Sequence, residues 1–201
     1  LLAGGQATQA RIEADVLVAE GISGDPLLRA LRVAAEASRR LGKSDEALRA
    51  VDRALLVVSG ERRATWLLER ARLQQARSPQ SAIVTLDRLV REHPKSCEAS
   101  DALLLRAQLL EAQAQPVEAE ATYARLAVGY GDDDDAGRAL WRLGWLAWFR
   151  RDYEGAKAKW TQLMNLPGGQ AFRDNAIYWI GRAHEERGEL DLATRQWTES
   201  V

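Results

Sequence analysis

The chain has 201 residues, 46% hydrophobic and 28% charged, with 28 Lys and Arg set against 29 Asp and Glu. Such a composition suits a globular chain with a sizeable core, and the balanced charge leaves no overall positive field for a phosphate backbone, which argues against a nucleic-acid partner. Cys97 is the single cysteine, so no internal disulfide can form, and no Cys/His spacing suggests a metal site.

Ala, Leu, Arg and Glu dominate, β-branched residues are scarce, and only five prolines interrupt the chain. The pattern reads as all-α. Eleven helices are predicted, near residues 6–20, 26–41, 44–58, 62–77, 79–93, 97–114, 116–129, 135–150, 153–165, 171–187 and 190–201. Residues 1–15, LLAGGQATQARIEAD, lack the basic and long apolar regions of a signal peptide. A mature or excised fragment would lack them too, so this end does not reveal the compartment.

The segments KSDEALRAVDRAL, SPQSAIVTLDRLV, QPVEAEATYARLA, RDYEGAKAKWTQL and ELDLATRQWTESV share an alanine followed four residues later by a bulky side chain. The alanines are Ala47, Ala82, Ala119, Ala156 and Ala193, spaced 35, 37, 37 and 37 residues apart. A small residue precedes each by 11 or 12 positions: Ala35, Ala71, Ala107, Gly144 and Gly181. Paired helices approach to about 8 Å where small side chains meet, so Gly144 is expected to face Ala156 and Gly181 to face Ala193. Val51, Leu86, Tyr123, Trp160 and Trp197 should fill the wedge beside each crossing. Pro79 and Pro116 fit the first turns of helices, and the long connections NLPGGQAFRD and GYGDDDD are read as loops.

Ala10 lies 37 residues before Ala47, so residues 6–20 are expected to be the second helix of an earlier unit. One helical-repeat domain spanning 1–201 results, with a half-unit at 6–20 and units near 26–61, 62–96, 97–133, 134–170 and 171–201. By this reading the chain begins and ends inside the array. Such an array buries its core between neighbouring units.

The acidic run Asp132 to Asp135 lacks the alternating spacing and central glycine of a calcium loop and sits where carboxylates cap a helix. His93 falls at a helix end, and His184 lies beside Glu185 and Glu186. Neither histidine has a serine, cysteine or metal constellation around it, so no catalytic, cofactor-binding or metal site is assigned.

The stretch ALWRLGWLAWFRRDYEGAKAKW, residues 139–160, holds four of the seven tryptophans. Arg142, Arg150 and Arg151 interrupt it well before the roughly 20 apolar residues of a membrane span. Leu140, Leu143, Gly144 and Ala147 form the buried face of a helix, while Trp141, Trp145 and Trp148 make a stripe along its flank. Tyr178 occupies the matching position one unit later, and Arg182 and Glu185 continue its row. Two readings stand: these six residues line a concave groove, or the stripe is buried against further protein.

Leu143-Gly144 with Ala156, and Ile180-Gly181 with Gly188 and Ala193, resemble the signature of the tetratricopeptide repeat. Residues 28–61 match moderately, and 62–96 more weakly. The resemblance implies a right-handed α-α superhelix of about five helix pairs plus the N-terminal half-unit, with the tryptophan flank facing the concave side. Over the last third, ALWRLGWLAWFRRDYEGA and the helix Ile177-Tyr178-Trp179-Ile180-Gly181-Arg182-Ala183 are similar to the superhelical region of bacterial soluble lytic transglycosylases. That similarity implies a periplasmic, peptidoglycan-directed parent. Glu199-Ser200 lies in a repeat helix and lacks the family's downstream Gly-Leu-Met-Gln segment, so catalysis is not carried onto Glu199. The expectation is a non-enzymatic scaffold without cofactor, whose partner is a protein or peptide, a further domain of the parent, or the cell wall. The alternative is a free-standing peptide-binding adaptor in envelope assembly.

Overall fold

The computed structural model describes residues 2–198, and their side chains from residue 5 onward, so Glu199 and Ser200 lie outside the described residues. Eleven α-helices and no strands occur among the described residues. They are α1 (Leu2–Ala19), α2 (Gly24–Arg40), α3 (Ser44–Val57), α4 (Arg62–Gln74), α5 (Pro79–Glu92), α6 (Glu98–Ala112), α7 (Pro116–Gly129), α8 (Asp134–Phe149), α9 (Tyr153–Met164), α10 (Arg173–Glu186) and α11 (Leu190–Thr198). None is long and apolar enough to cross a membrane.

The chain forms two compact units, Leu1–Ala102 and Leu103–Val201. In the first, α2 packs on α3 and α4 on α5; in the second, α8 packs on α9 and α10 on α11. The links within these pairs are only three or four residues long, which forces the paired helices antiparallel. Ala47, Ala71, Ala82, Ala107, Ala119 and Ala156 are wholly buried at the repeating small positions. Val51, Leu86, Tyr123 and Trp160 fill the wedges and are equally hidden, while Trp197 is half-buried. Leu27, Leu31, Val51, Val58 and Trp66 join in the core of the first unit.

The nearest atoms to a side chain added at Gly144 belong to the indole of Trp160, and at Gly181 to that of Trp197. What each glycine meets first is thus the wedge ring, ahead of the alanine of the next helix. The glycine makes room for the wedge ring itself, which is why a tryptophan fits where earlier units carry valine, leucine or tyrosine.

NLPGGQAFRD is not an open loop. Pro167–Phe172 forms a 3-10 helix packed on α8 and α9. A Cβ on Gly137 would strike the Gly168 carbonyl, one on Gly168 the Asp133 carbonyl, and one on Gly169 the Leu163 carbonyl. Three glycines therefore let backbone touch backbone, which no other residue allows.

The turns recur in form. After α2, α6, α8 and α10, the residues Gly42, Ala114, Arg151 and Gly188 take φ of 71°, 56°, 61° and 77°. In each case the next amide donates back to a carbonyl five residues earlier, for example Gln115 N to Leu110 O and Asp152 N to Ala147 O. This left-handed cap satisfies helix-terminal carbonyls and reverses the chain. At the opposite ends, Asp133 accepts from the Asp135 amide at the start of α8, and Asp152 from the Gly155 amide at the start of α9. The acidic run thus supplies a helix cap. Pro79 and Pro116 open α5 and α7, and His93 closes α5.

Candidate functional site

Trp141, Trp145 and Trp148 are all half-buried on α8, above the wholly buried Trp160 of α9. The Trp160 ring centroid lies 5.8, 5.7 and 5.9 Å from theirs, so one hidden indole supports the whole stripe. Its Nε1 donates to the Trp141 carbonyl at 3.4 Å, giving the buried N–H a partner. Trp179 of α10 stands edge-on against Trp145 at 4.5 Å and Trp148 at 5.2 Å. At the other end Phe172, brought in by the 3-10 helix, stacks on Trp141 at 5.6 Å.

The six residues singled out from the sequence therefore separate. Trp141 opens onto a cleft, whereas Trp145 and Trp148 share their rings with Trp179. Tyr178 is half-exposed on α10, stacked at 6.3 Å on Trp197, and Arg182 pairs with Glu185 at 3.0 Å on the same helix.

The cleft encloses about 580 Å³. Leu104, Gln108, Glu111 and Ala112 of α6 form one wall, Arg138, Trp141 and Arg142 of α8 the other, with Tyr123 between them and Phe172 at the end. Leu104, Gln108 and Glu111 lie 37 residues before Trp141, Trp145 and Trp148, so the register of the stripe carried back one unit would have located this wall.

A charged network braces the cleft. Arg142 Nε donates to Glu111 Oε2 at 2.8 Å, its Nη2 donates to Glu111 Oε1, and the Tyr123 hydroxyl donates to Oε2 at 3.2 Å. The Arg142 hydrogen bond holds the Glu111 carboxyl below its usual range. Burial, reinforced by Glu111, pushes the Tyr123 hydroxyl well above its usual value. Arg138 pairs with the buried Asp135 at 3.0 Å. Near neutral pH Glu111 and Arg142 thus stay charged and the Tyr123 hydroxyl keeps its proton, which suits recognition more than proton transfer.

Among the described residues, no group of three His, Cys, Asp or Glu side chains is placed to hold a metal ion. His184 shares a 2.6 Å hydrogen bond with Glu189, an intramolecular contact across the α10–α11 turn.

Solved structures resemble the chain at the level of its fold. A tetratricopeptide repeat protein from Parabacteroides merdae has 19% identity and a TM-score of 0.52, over 97% of this chain and 86% of that one. The fold is that of a tetratricopeptide-type helical repeat. MamA from Desulfovibrio magneticus has 16% identity and a TM-score of 0.61, covering 89% of this chain and 94% of that one. PilW, described as a type IV pilus biogenesis factor, has 16% identity and a TM-score of 0.57, over 98% and 90% of the two chains. No protein-family model matches the sequence, and no curated protein matches it either.

Proposed function

We propose that the chain is a non-catalytic scaffold whose second unit binds an extended segment of a partner protein in the cleft between α6 and α8. The observation that carries this reading is the combination of an apolar end, Leu104, Trp141 and Phe172, with polar donors on both walls, Gln108 and Arg138. The apolar end takes a large side chain, and Gln108 can both donate to and accept from a peptide backbone. The Glu111–Arg142 pair keeps the two walls in register, so little ordering cost falls on binding. Beyond the tryptophan cluster, the exposed Tyr178 and the Arg182–Glu185 pair of α10 would offer a separate contact surface, with Trp145 and Trp148 packed between.

The test is selection of a random peptide library displayed on phage against the purified chain, followed by calorimetry with the selected peptide. The expected motif contains an aromatic or long aliphatic anchor, and both Trp141→Ala and Gln108→Ala weaken its binding. Selected peptides whose affinity ignores both substitutions would place the binding face elsewhere.

The favoured setting is a free-standing adaptor in envelope assembly, supported by the fold likeness to PilW. A second setting, the helical region of a periplasmic lytic transglycosylase-like protein acting on cell wall, is supported by the residues of α8 and α10 quoted above. Co-sedimentation with purified peptidoglycan sacculi separates them. Retention by sacculi favours the second setting, and its absence favours the adaptor.

A further inference from the structure

The first unit carries a different surface. Between α2 and α4 a cleft of about 290 Å³ is lined by Asp25, Leu28, Arg29, Arg32, Arg62 and Trp66. It continues past Arg32 and Trp66 into a second hollow of about 270 Å³ bounded by Ala35, Glu36, Leu68 and Glu69. The two share a floor, and their charges differ. Three arginines and one carboxylate surround the first, while the second adds two carboxylates and a further arginine, Arg72.

Arg32 decides what the first hollow can bind. Its guanidinium lies 5.4 Å over the ring of the buried Trp66. A cation held over a ring face is restrained in position, and a guanidinium so placed can receive a carboxylate through charge-assisted hydrogen bonds. Neither Arg32 nor Arg29 has a carboxylate within ion-pair distance among the described residues. Asp25 is engaged by Arg62 at 2.6 Å. Two guanidinium groups, three residues apart on one helix, thus flank an apolar floor, and the carboxylate acting on Arg29, Asp25, is already hydrogen-bonded to Arg62.

We infer that the α2–α4 cleft binds an acidic stretch of an extended polypeptide, with side-chain carboxylates on Arg32 and Arg29 and the following residues running over Trp66. A polypeptide is favoured over a polyphosphate because the path beyond Trp66 runs over Ala35 and Leu68 between charges of both signs, Glu36 and Glu69 against Arg72. A uniform polyanion finds no free counter-charge on that wall, where Glu36 is held by Arg39 and Arg40 and Arg72 by Asp101, whereas a chain acidic only at one end can lay apolar side chains on it. The site lies wholly within Leu1–Ala102 and does not depend on the cleft proposed for the other unit.

The experiment is fluorescence anisotropy of labelled peptides against the full chain in low salt. The acidic probe is Glu-Glu-Glu-Gly-Leu-Ser-Gly-Leu, and its control replaces each Glu with Gln. The acidic probe is expected to bind and the control not, with Arg32→Ala or Arg29→Glu weakening binding about tenfold, the worth of a lost charge-assisted contact. Arg88→Glu, which changes the same charge on α5, leaves binding intact. Both groove arginines are exposed, so thermal melts of the variants should match the parent. Equal binding of the Gln control, an equal loss on Arg88→Glu, or tighter binding of a thymidine octanucleotide would each overturn the assignment.

Discussion

The indole of Trp160 lies directly against the α-carbon of Gly144, leaving no space for a methyl group between them. Gly144→Ala must therefore displace a ring that is completely buried beneath three others. Overpacking of this kind costs about 1–3 kcal/mol. Gly129 supplies the contrast, since a methyl there meets nothing. Urea melts should show a clear loss for Gly144→Ala and none for Gly129→Ala; equal midpoints would mean that Trp160 has another rotamer available.

Trp160 and Trp145 differ in exposure but share a cluster. Trp160→Ala removes a hidden ring and should cost about 3–5 kcal/mol. Trp145→Ala opens a half-exposed site and should cost less. Trp145 and Trp179 approach to 4.5 Å edge-on, and a double-mutant cycle between them should return a coupling of about 0.5–1.5 kcal/mol. A coupling of zero would mean that the two rings do not meet in solution.

Ala114 and Arg151 hold left-handed backbone that Gly42 and Gly188 hold without penalty. Replacing either with glycine should stabilise the protein by about 1 kcal/mol, because the side chain's clash with its own backbone is removed. Gly42→Ala should do the reverse. Chemical denaturation reads both, and destabilisation by Ala114→Gly would show that the turn conformation differs.

The Glu111 carboxyl is held below its ordinary value of 4.5 chiefly by the hydrogen bond from Arg142. Its stabilising effect is present above that pH and is lost as pH falls through the lower value reached in the folded protein. Arg142→Met should therefore remove part of the acid sensitivity that sets in as pH falls below the ordinary Glu value, while costing stability at neutral pH. A variant as acid-sensitive as the parent would show that Glu111 is not the group responsible.

The helices were legible because buried alanines and glycines recur at nearly constant spacing, and each recurrence marks a close helix crossing. The Trp141, Trp145, Trp148 stripe was legible from its helical spacing alone. What it packs against was not. Trp179 sits beside Tyr178, the residue aligned with Trp141, and no one-dimensional rule says which of two adjacent rings turns toward α8. Pro167–Phe172 escaped because Gly168 and Gly169 signal a loop in sequence, while here they permit close backbone contact. The Glu111–Arg142 bridge joins different repeats, where local periodicity carries no information about side-chain reach.

Six of the seven tryptophans lie after Leu103, and Trp66 alone lies before it. The protein thus carries its own optical partition. Indoles 4.5 to 6 Å apart couple electronically, so near-ultraviolet circular dichroism should be dominated by the ring cluster of the second unit. Backbone ellipticity weighs both units alike. Any unfolding in which the two signals part company would show one unit losing its structure ahead of the other, without a label or an added probe.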